Sequence, residues 1–238
     1  MKIEINNQRY YETPYGRLPS STTILSLLNK PALLNWAIKT TVNYIGKHLA
    51  DIQNRLTEEE AIRILEEAKQ EAERIKIEAG NIGSEVHKWV ESYIKELLKK
   101  NKTIPNIPSN IEKPIQAFLS WKKQYQFKPL QSEQSVYWYS HKRKIGYAGT
   151  LDIIGIIKNK KYIIDIKTSS NIYPEMKLQV ASYKSAYNQM QYPKKVRGGG
   201  ILKLDKITGM PEWVDITDSY KQDRKAFLHL VGFWWLTR

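Results

Sequence analysis

The sequence predicts an α/β fold in which helices flank a central mixed β-sheet. Two apolar runs rich in β-branched residues, 147–157 and 161–168, flank a turn signal at Lys158-Asn159-Lys160 and are typical of neighbouring strands. Segments with helical periodicity precede and follow them, so the order along the chain is α, then β, then α. The sequence contains no internal repeat or convincing linker, and we expect a single domain over residues 1–238.

Two helices are expected in residues 57–100. In residues 57–79 the apolar positions recur at spacings of three and four, and Thr57 with Glu60 forms a capping box at the start. A second helix is expected over residues 82–100. The first helix has a narrow apolar stripe, so we expect its charges to be solvated and the helix to belong to an insertion at about residues 30–80.

Strands and helices continue toward the C-terminus. Pro174 suits the first turn of a helix, where a missing N–H costs nothing. The expected elements, in chain order, are a helix at 113–126, strands at 134–140, 147–157 and 161–168, a helix at 174–190, strands at 201–207 and 212–216, and a helix from 218 onward.

The chain is strongly basic. It holds 38 Lys and Arg against 24 Asp and Glu, a net charge of +14. Residues 57–79 alone carry eight Glu against four Lys or Arg, so the remaining residues sum to +18. This excess favours a polyanionic partner, because summed positive charge attracts phosphates at long range. A general lysine bias of the source proteome is the alternative explanation.

The sequence contains no cysteine. This excludes a disulfide, a cysteine-ligated zinc or iron–sulfur site and a cysteine nucleophile, and it fits a reducing compartment. No apolar run is long enough for a membrane span, and the residues after Met1 lack the apolar core of a secretory signal. We therefore expect an intracellular, cytoplasmic protein, or one of the host cytoplasm if its source is viral.

Three charged residues stand in the two central apolar runs: Asp152 follows Leu151 in the first run, and Asp165 and Lys167 end the second. Side chains alternate along a strand with a rise of about 3.3 Å per residue, so Asp165 and Lys167 point the same way, about 7 Å apart. An antiparallel hairpin would bring Asp152 beside them. Charges in a mostly buried sheet need a partner or a metal, although an exposed Asp and Lys on an amphipathic strand are the simpler alternative.

These residue types suit phosphodiester hydrolysis. Two carboxylates can hold a hard divalent cation such as Mg²⁺ or Mn²⁺, which polarises a phosphoryl oxygen and acidifies a bound water. The compact ammonium group of Lys167 could position that water or offset the developing negative charge. The pattern therefore points to a metal-dependent nuclease.

Five segments carry a further signal through their order. They are residues 18–25 followed by 33–37, the helix with Gly83-Ser84-Glu85-Val86-His87 and Glu91, Tyr147 to Asp152, Asp165 to Ser169, and Gln179 to Tyr183. The ordered set resembles the PD-(D/E)XK nuclease superfamily, and within it the RecB-like exonuclease branch that includes phage exonucleases and the mitochondrial genome maintenance exonuclease.

The resemblance implies a restriction-endonuclease-like core with a helical N-terminal insertion. It implies a deoxyribonuclease that uses Mg²⁺ or Mn²⁺ and acts on DNA with a free single-stranded end, over which the insertion could arch. The lack of cysteine means that this chain has no iron–sulfur cluster. The implied metal positions are His87, Asp152, Asp165 and Ile166. The implied catalytic residues are Asp152, Asp165, Lys167, Gln179 and Tyr183.

Three supporting features lie near these motifs. Glu91 stands one helical turn after His87 and could accept a hydrogen bond that orients its ring. Glu133, just before the first central strand, is a further acidic candidate. The basic turn 141–144 could contact a phosphate backbone, although exposed turns are often basic for other reasons.

Two other functions stay open at the level of sequence. The chain could be an endonuclease for branched or specific duplex sites, or a non-catalytic DNA-binding protein of the same fold. The complete set of Asp152, Asp165 and Lys167 argues against a silent copy, since a degenerate copy commonly loses one of these charges.

Overall fold

The computed structural model describes residues 1–6, 8–48, 57–99, 104–190 and 195–238. These residues form two compact units. The larger unit combines Met1–Leu28 with Glu85–Arg238, and the second unit is Asn29–Ser84. The second unit covers the residues that were expected to form a helical insertion.

A small antiparallel sheet opens the larger unit. Its strands, in sheet order, are β1 (Lys2–Ile5), β2 (Gln8–Thr13) and β3 (Gly16–Pro19). The sequence analysis did not identify these strands, since each has only four to six residues. Long-range contacts hold them instead: the Tyr11 hydroxyl lies 3.0 Å from the Thr150 hydroxyl, at hydrogen-bond distance.

The central sheet of the larger unit has five strands and mixed topology. In sheet order they are β4 (Lys128–Ser140), β5 (Ile145–Ile157), β6 (Lys160–Lys167), β7 (Gly198–Leu204) and β8 (Pro211–Asp215). Neighbouring strands are antiparallel except for β6 and β7, which are parallel. The expected β5–β6 hairpin is confirmed, and so is the α/β class.

Six α-helices lie within the described residues. They are α1 (Ser21–Leu25), α2 (Pro31–Lys47), α3 (Glu58–Leu98), α4 (Glu112–Gln124), α5 (Pro174–Gln189) and α6 (Tyr220–Leu236). None of these helices is both long and apolar enough to cross a membrane.

The helix α3 corrects the sequence analysis, which expected separate helices at 57–79 and 82–100. The structure has one continuous helix of 41 residues. Gly80 and Gly83 each disfavour a helix interior by about 1 kcal/mol, but the long runs of helix-forming residues on both sides outweigh them. The predicted capping box is confirmed, because the Glu60 carboxylate accepts from the Thr57 N–H at 2.8 Å and the Glu60 N–H donates to the Thr57 hydroxyl at 3.3 Å.

The main core of the larger unit lies between the central sheet and the helices α5 and α6. Tyr147 is fully buried there, and its hydroxyl donates to the Ser182 carbonyl at 2.9 Å. Gly149 allows a close approach of α5, since a Cβ at this position would lie 2.5 Å from the Tyr183 ring. This packing sets α5 against the strand that carries Asp152.

The second unit consists of α2 and the first part of α3. None of the side chains of α2 is buried, and Leu34, Ile38 and Val42 are among its exposed apolar residues. The Tyr44 hydroxyl donates to Glu67 at 2.8 Å. Ion pairs at spacings of three and four residues cover the surface of α3 in this unit.

Candidate metal centre

The β5–β6 hairpin brings the two predicted aspartates together. Ile153 pairs with Ile164 across the hairpin, which sets Asp152 opposite Asp165. One carboxylate oxygen of Asp152, Oδ2, accepts a hydrogen bond from the Ile166 N–H at 2.7 Å. The backbone of one strand therefore fixes the carboxylate carried by the other.

Asp165 is a buried carboxylate with unmet hydrogen-bonding capacity. Its exposed fraction is 1%, and neither of its oxygens has a hydrogen-bond partner within the described residues. Lys167 Nζ lies 2.5 Å from Oδ2, so the two form an ion pair even though the contact does not meet hydrogen-bond geometry. Burial raises the pKa of Asp165 to about 6 against the opposing charge of Lys167, and the nearby Asp152 raises it further. A buried carboxylate left in this state is costly unless a ligand completes it.

His87 of α3 reaches the same place. Its Nδ1 lies 3.5 Å from Asp152 Oδ1. Burial alone would lower the pKa of His87, but the Asp152 carboxylate outweighs burial and raises it. Burial would likewise raise the pKa of Asp152, and it is lowered instead by His87, by Lys167 and by the Ile166 N–H.

Glu133 is a third acidic residue at this site. It lies inside β4, not before it, because the strand begins at Lys128. Ser132 pairs with Ile153 and Gln134 with Leu151, which sets Glu133 opposite Asp152. Its φ of +51° is a left-handed conformation that non-glycine residues rarely adopt. Burial, followed by the Asp152 charge, raises its pKa.

The donor atoms are arranged as a cation would require. One ligand atom each from His87, Glu133 and Asp152 all lie within 4.8 Å of one another. Carboxylate oxygens suit Mg²⁺ and Mn²⁺, and an imidazole nitrogen is better tolerated by Mn²⁺. The residues therefore fit a hard divalent cation, with Asp165 as a further carboxylate beside them.

This ligand set differs in part from the one that the sequence implied. His87 and Asp152 are common to both, whereas Glu133 was only a supporting candidate. The Ile166 side chain is 1% exposed and apolar, so only its backbone carbonyl could bind a metal. The signal that could have placed Glu133 is an acidic residue interrupting a strand pattern directly before Gln134 to Ser140.

Lys167 holds its positive charge at the site. Burial would lower its pKa, but the carboxylates of Asp165 and Asp152 outweigh this effect and raise it. Its side chain keeps 20% exposure, against 1% for that of Asp165. A charged lysine at the mouth of a carboxylate cluster is suited to contact an anionic substrate.

Gln179 and Tyr183 face the same side of α5, as their spacing predicted. Gln179 Nε2 donates to the Tyr183 hydroxyl at 3.0 Å. Burial raises the pKa of Tyr183 well above its ordinary value, and the charges of Asp165 and Asp152 add to the effect. The hydroxyl is therefore held in its neutral form and can donate or accept a hydrogen bond.

Two acidic residues of α3 have partners elsewhere. Glu91, expected to orient His87, instead forms an ion pair with Lys95 at 2.5 Å. Glu85 accepts a hydrogen bond from Asn110 at 2.5 Å. The partner of the His87 ring is Asp152 instead.

Comparison with known proteins adds little to this geometry. No protein-family model matches the chain, and no curated protein matches it. Among solved structures, the crystal structure of SSO0001 is similar with a TM-score of 0.34 and 15% sequence identity, covering 80% of this chain and 86% of that chain. At this TM-score the likeness carries no argument about fold or function.

Proposed function

We propose that the chain is a metal-dependent deoxyribonuclease that hydrolyses phosphodiesters from a free single-stranded DNA end. The observation that carries this proposal is the Asp165–Lys167 ion pair, in which a buried carboxylate keeps unmet hydrogen-bonding capacity. His87, Glu133 and Asp152 surround it with further donors. The exonuclease mode and the single-stranded end rest on the resemblance of the ordered motifs to the RecB-like branch.

The proposed reaction places a phosphate group beside the carboxylate cluster, within reach of Lys167. A water oxygen attacks the phosphorus, the P–O bond to the leaving sugar oxygen breaks, and the water gives up one proton as that oxygen gains one. A bound Mg²⁺ or Mn²⁺ would supply Lewis acidity and an acidified water. Lys167 stays charged and offsets the negative charge that builds on the phosphoryl oxygens. Asp165 in turn holds Lys167 in place through their ion pair.

The charge of the whole chain supports a DNA substrate. Outside residues 57–79 the chain carries a net charge of +18. Such a surface attracts any polyanion, so it supports binding of a phosphate backbone without selecting a sequence. Weak sequence preference is what an exonuclease that advances along a strand requires.

The test uses end-labelled linear DNA and circular single-stranded DNA, each with EDTA, Mg²⁺ or Mn²⁺. We expect linear DNA to be degraded only with metal and circular DNA to survive. Asp165→Asn should remove the activity. The control is Asp205→Asn, which should retain it, because the Asp205 carboxylate lies in a turn and accepts from the N–H groups of Ile207 and Thr208. Cleavage in excess EDTA would reject the metal mechanism. Metal-dependent cutting of the circle would show an endonuclease instead.

A further inference from the structure

A cluster of aromatic rings lies on the surface of the larger unit, where the β2–β3 turn meets the β4–β5 turn. The Tyr15 ring stacks on the Tyr139 ring with centroids 4.3 Å apart and planes 3° apart. The rings of Tyr137 and His141 pack edge-on against Tyr15, with centroids at 5.8 Å and 5.1 Å. We call these four residues the aromatic platform.

The platform is rigid yet open on its outer side. Tyr137 and Tyr139 pack against a buried cluster made of Tyr11, Leu18 and Ala148. The backbone of Tyr15 is fixed from within its turn, since its N–H donates to the Thr13 hydroxyl at 3.2 Å. The Tyr15 side chain nevertheless keeps 41% exposure. A fixed, exposed ring is prepared for stacking with another planar group, at little further cost in side-chain entropy.

A basic turn adjoins the platform. Lys142, Arg143 and Lys144 directly follow His141, and all three are exposed. Within the described ranges none of the three forms an ion pair, so their positive charge is uncompensated. The turn is held by a hydrogen bond from the Lys144 N–H to the Ser140 carbonyl at 2.7 Å. Stacking rings beside uncompensated cations are the combination by which proteins bind single-stranded nucleic acid.

We propose that the aromatic platform and the basic turn form a binding site for single-stranded DNA. A base stacks on the Tyr15 ring, and the neighbouring phosphates contact Lys142 and Arg143. The proposal rests on the DNA nuclease function above and assigns where the substrate strand is held away from the metal centre. A purely structural ring stack would not require three unpaired cations at its edge.

The position of the platform predicts a minimum length of substrate. Tyr139 pairs with Gly146 of β5, six residues before Asp152. At about 3.3 Å per residue, this separation along the strand is about 20 Å. A DNA strand with the helical rise of about 3.4 Å per nucleotide covers it with about six nucleotides, and with fewer if it is extended. An oligonucleotide too short to span this distance cannot use the platform and the metal centre together.

Binding to the ring is tested by fluorescence anisotropy in EDTA, with a labelled single strand of about 16 nucleotides. We expect Tyr15→Ala to weaken binding roughly tenfold and Tyr15→Phe to bind like the wild type, because the ring stacks and the hydroxyl does not. On a strand of equal length made of abasic residues, Tyr15→Ala should bind like the wild type. The control is Phe233→Ala, which removes a ring with 56% exposure on α6. It should change neither the affinity for the normal strand nor the affinity for the abasic strand.

The charged turn is tested with two matched double variants. Lys142→Ala with Arg143→Ala removes two charges beside the platform, and Lys158→Ala with Lys160→Ala removes two from the exposed β5–β6 turn of the same sheet. The first pair should weaken binding to both strands and lower the salt slope by about 1.4, the value for two single-strand phosphates. The second pair should have a much smaller effect.

Two results would overturn the proposal: equal losses from the two double variants, or a Tyr15→Ala loss that is as large on the abasic strand. The latter would show a folding role for the ring, and melting curves of each variant report that role directly. Since the assay needs no cleavage, the two proposals fail separately. A protein that binds in this pattern but cuts nothing keeps the platform and rejects the nuclease. An active nuclease without a base-dependent Tyr15 effect rejects only the platform.

Discussion

The two units of the chain differ in their ion pairs, because the larger unit holds a buried pair besides its surface pairs. In the helical unit, Asn29–Ser84, the pairs lie on the surface of α3. Arg74, for example, contacts Glu71 at 2.7 Å, and the arginine side chain is 64% exposed. In the larger unit, Asp165 pairs with Lys167 at 1% exposure of the aspartate. Exposed pairs on helices stabilise proteins little, whereas loss of one partner from a buried pair costs about 3–5 kcal/mol.

The difference indicates which charges serve function. The surface pairs of α3 keep a long helix solvated and can be exchanged without consequence. The interior pair is costly to bury, and both Asp165 oxygens still lack a hydrogen-bond partner among the described residues. A buried, incompletely satisfied charge of this kind is typical of a catalytic or metal site.

Removal of an interior carboxylate should have the largest effect. We expect Asp152→Ala and Asp165→Ala each to slow DNA cleavage by a factor of about 10² to 10³ or more, because the cluster then lacks the charge that neutralises a cation and holds Lys167. DNA affinity should change little, since the basic surface provides most of it. The measurement is cleavage of end-labelled single strands with Mn²⁺, beside filter binding.

The matched change in the helical unit is Glu73→Ala, which removes an exposed partner of Lys76. It should cleave DNA at the wild-type rate. Equal losses from Glu73→Ala and Asp165→Ala would erase the contrast between the two kinds of pair.

The metal-free protein should also show the interior charge in its pH dependence. Burial raises the pKa of Asp165 to about 6 from an ordinary value of 3.8, so the native state favours the protonated acid. The contribution of Asp165 to the free energy of unfolding should therefore be largest below pH 3.8. This contribution should be lost as the pH rises through about 6. The difference is at most about 3 kcal/mol.

Asp165→Asn cannot lose this proton. In EDTA, the difference in free energy of unfolding between this variant and the wild type should grow in favour of the variant between about pH 4 and pH 6. Urea titrations at several pH values measure it. A constant difference across that range would mean that Asp165 is not held in a protonation-sensitive site.

The ligand assignment predicts a smaller effect. His87→Ala and Glu133→Gln should each raise the Mn²⁺ concentration needed for half-maximal cleavage about tenfold or more, because each removes a donor from the cluster. Titration of activity with Mn²⁺ measures this shift, with Glu85→Gln as the control, since Glu85 contacts Asn110. If His87→Ala leaves the titration unchanged, the imidazole is structural.

The surface pairs should give the smallest effect. Arg74→Ala loses contacts with Glu71 and Glu78 from an arginine side chain that is 64% exposed. We expect the melting temperature to change by no more than about 2 °C and cleavage to be unaffected, since exposed pairs are screened by solvent and salt. A thermal melt in low and high salt checks both the size and the cause.

The sequence predicted the elements whose patterns are local. Asp165 and Lys167 alternate along an apolar run, so the β5–β6 hairpin and their common direction followed from strand geometry alone. Glu133 depends on a left-handed φ in the middle of β4 and on pairing with β5, which no local pattern specifies. The aromatic platform joins Tyr15 to Tyr139 across the chain and was likewise beyond local inference.

Two further features of the fold also escaped prediction. Two helices were expected because glycines resemble helix breaks in a sequence. The structure instead tolerates them within the single helix α3. The strands β1 to β3 depend on distant contacts, among them the bridge between Ser20 and Ala148. In the first case the helix propensity of the flanking residues outweighs the glycines, and in the second tertiary contacts decide where local propensity is weak.

The most direct measurement compares two lysines that are register partners on adjacent strands. Lys167 of β6 pairs with Lys203 of β7, and Lys203 differs in having ordinary partners, Glu212 at 2.8 Å and the Ser170 carbonyl at 3.0 Å. Under single-turnover conditions with saturating Mn²⁺, Lys167→Ala should cleave end-labelled DNA slower by a factor of about 10² or more, with affinity nearly unchanged. Lys167→Arg should restore little, because a planar guanidinium replaces a compact ammonium. Lys203→Ala should stay close to the wild-type rate. Near-normal cleavage by Lys167→Ala would contradict the assignment of this site as the nuclease centre.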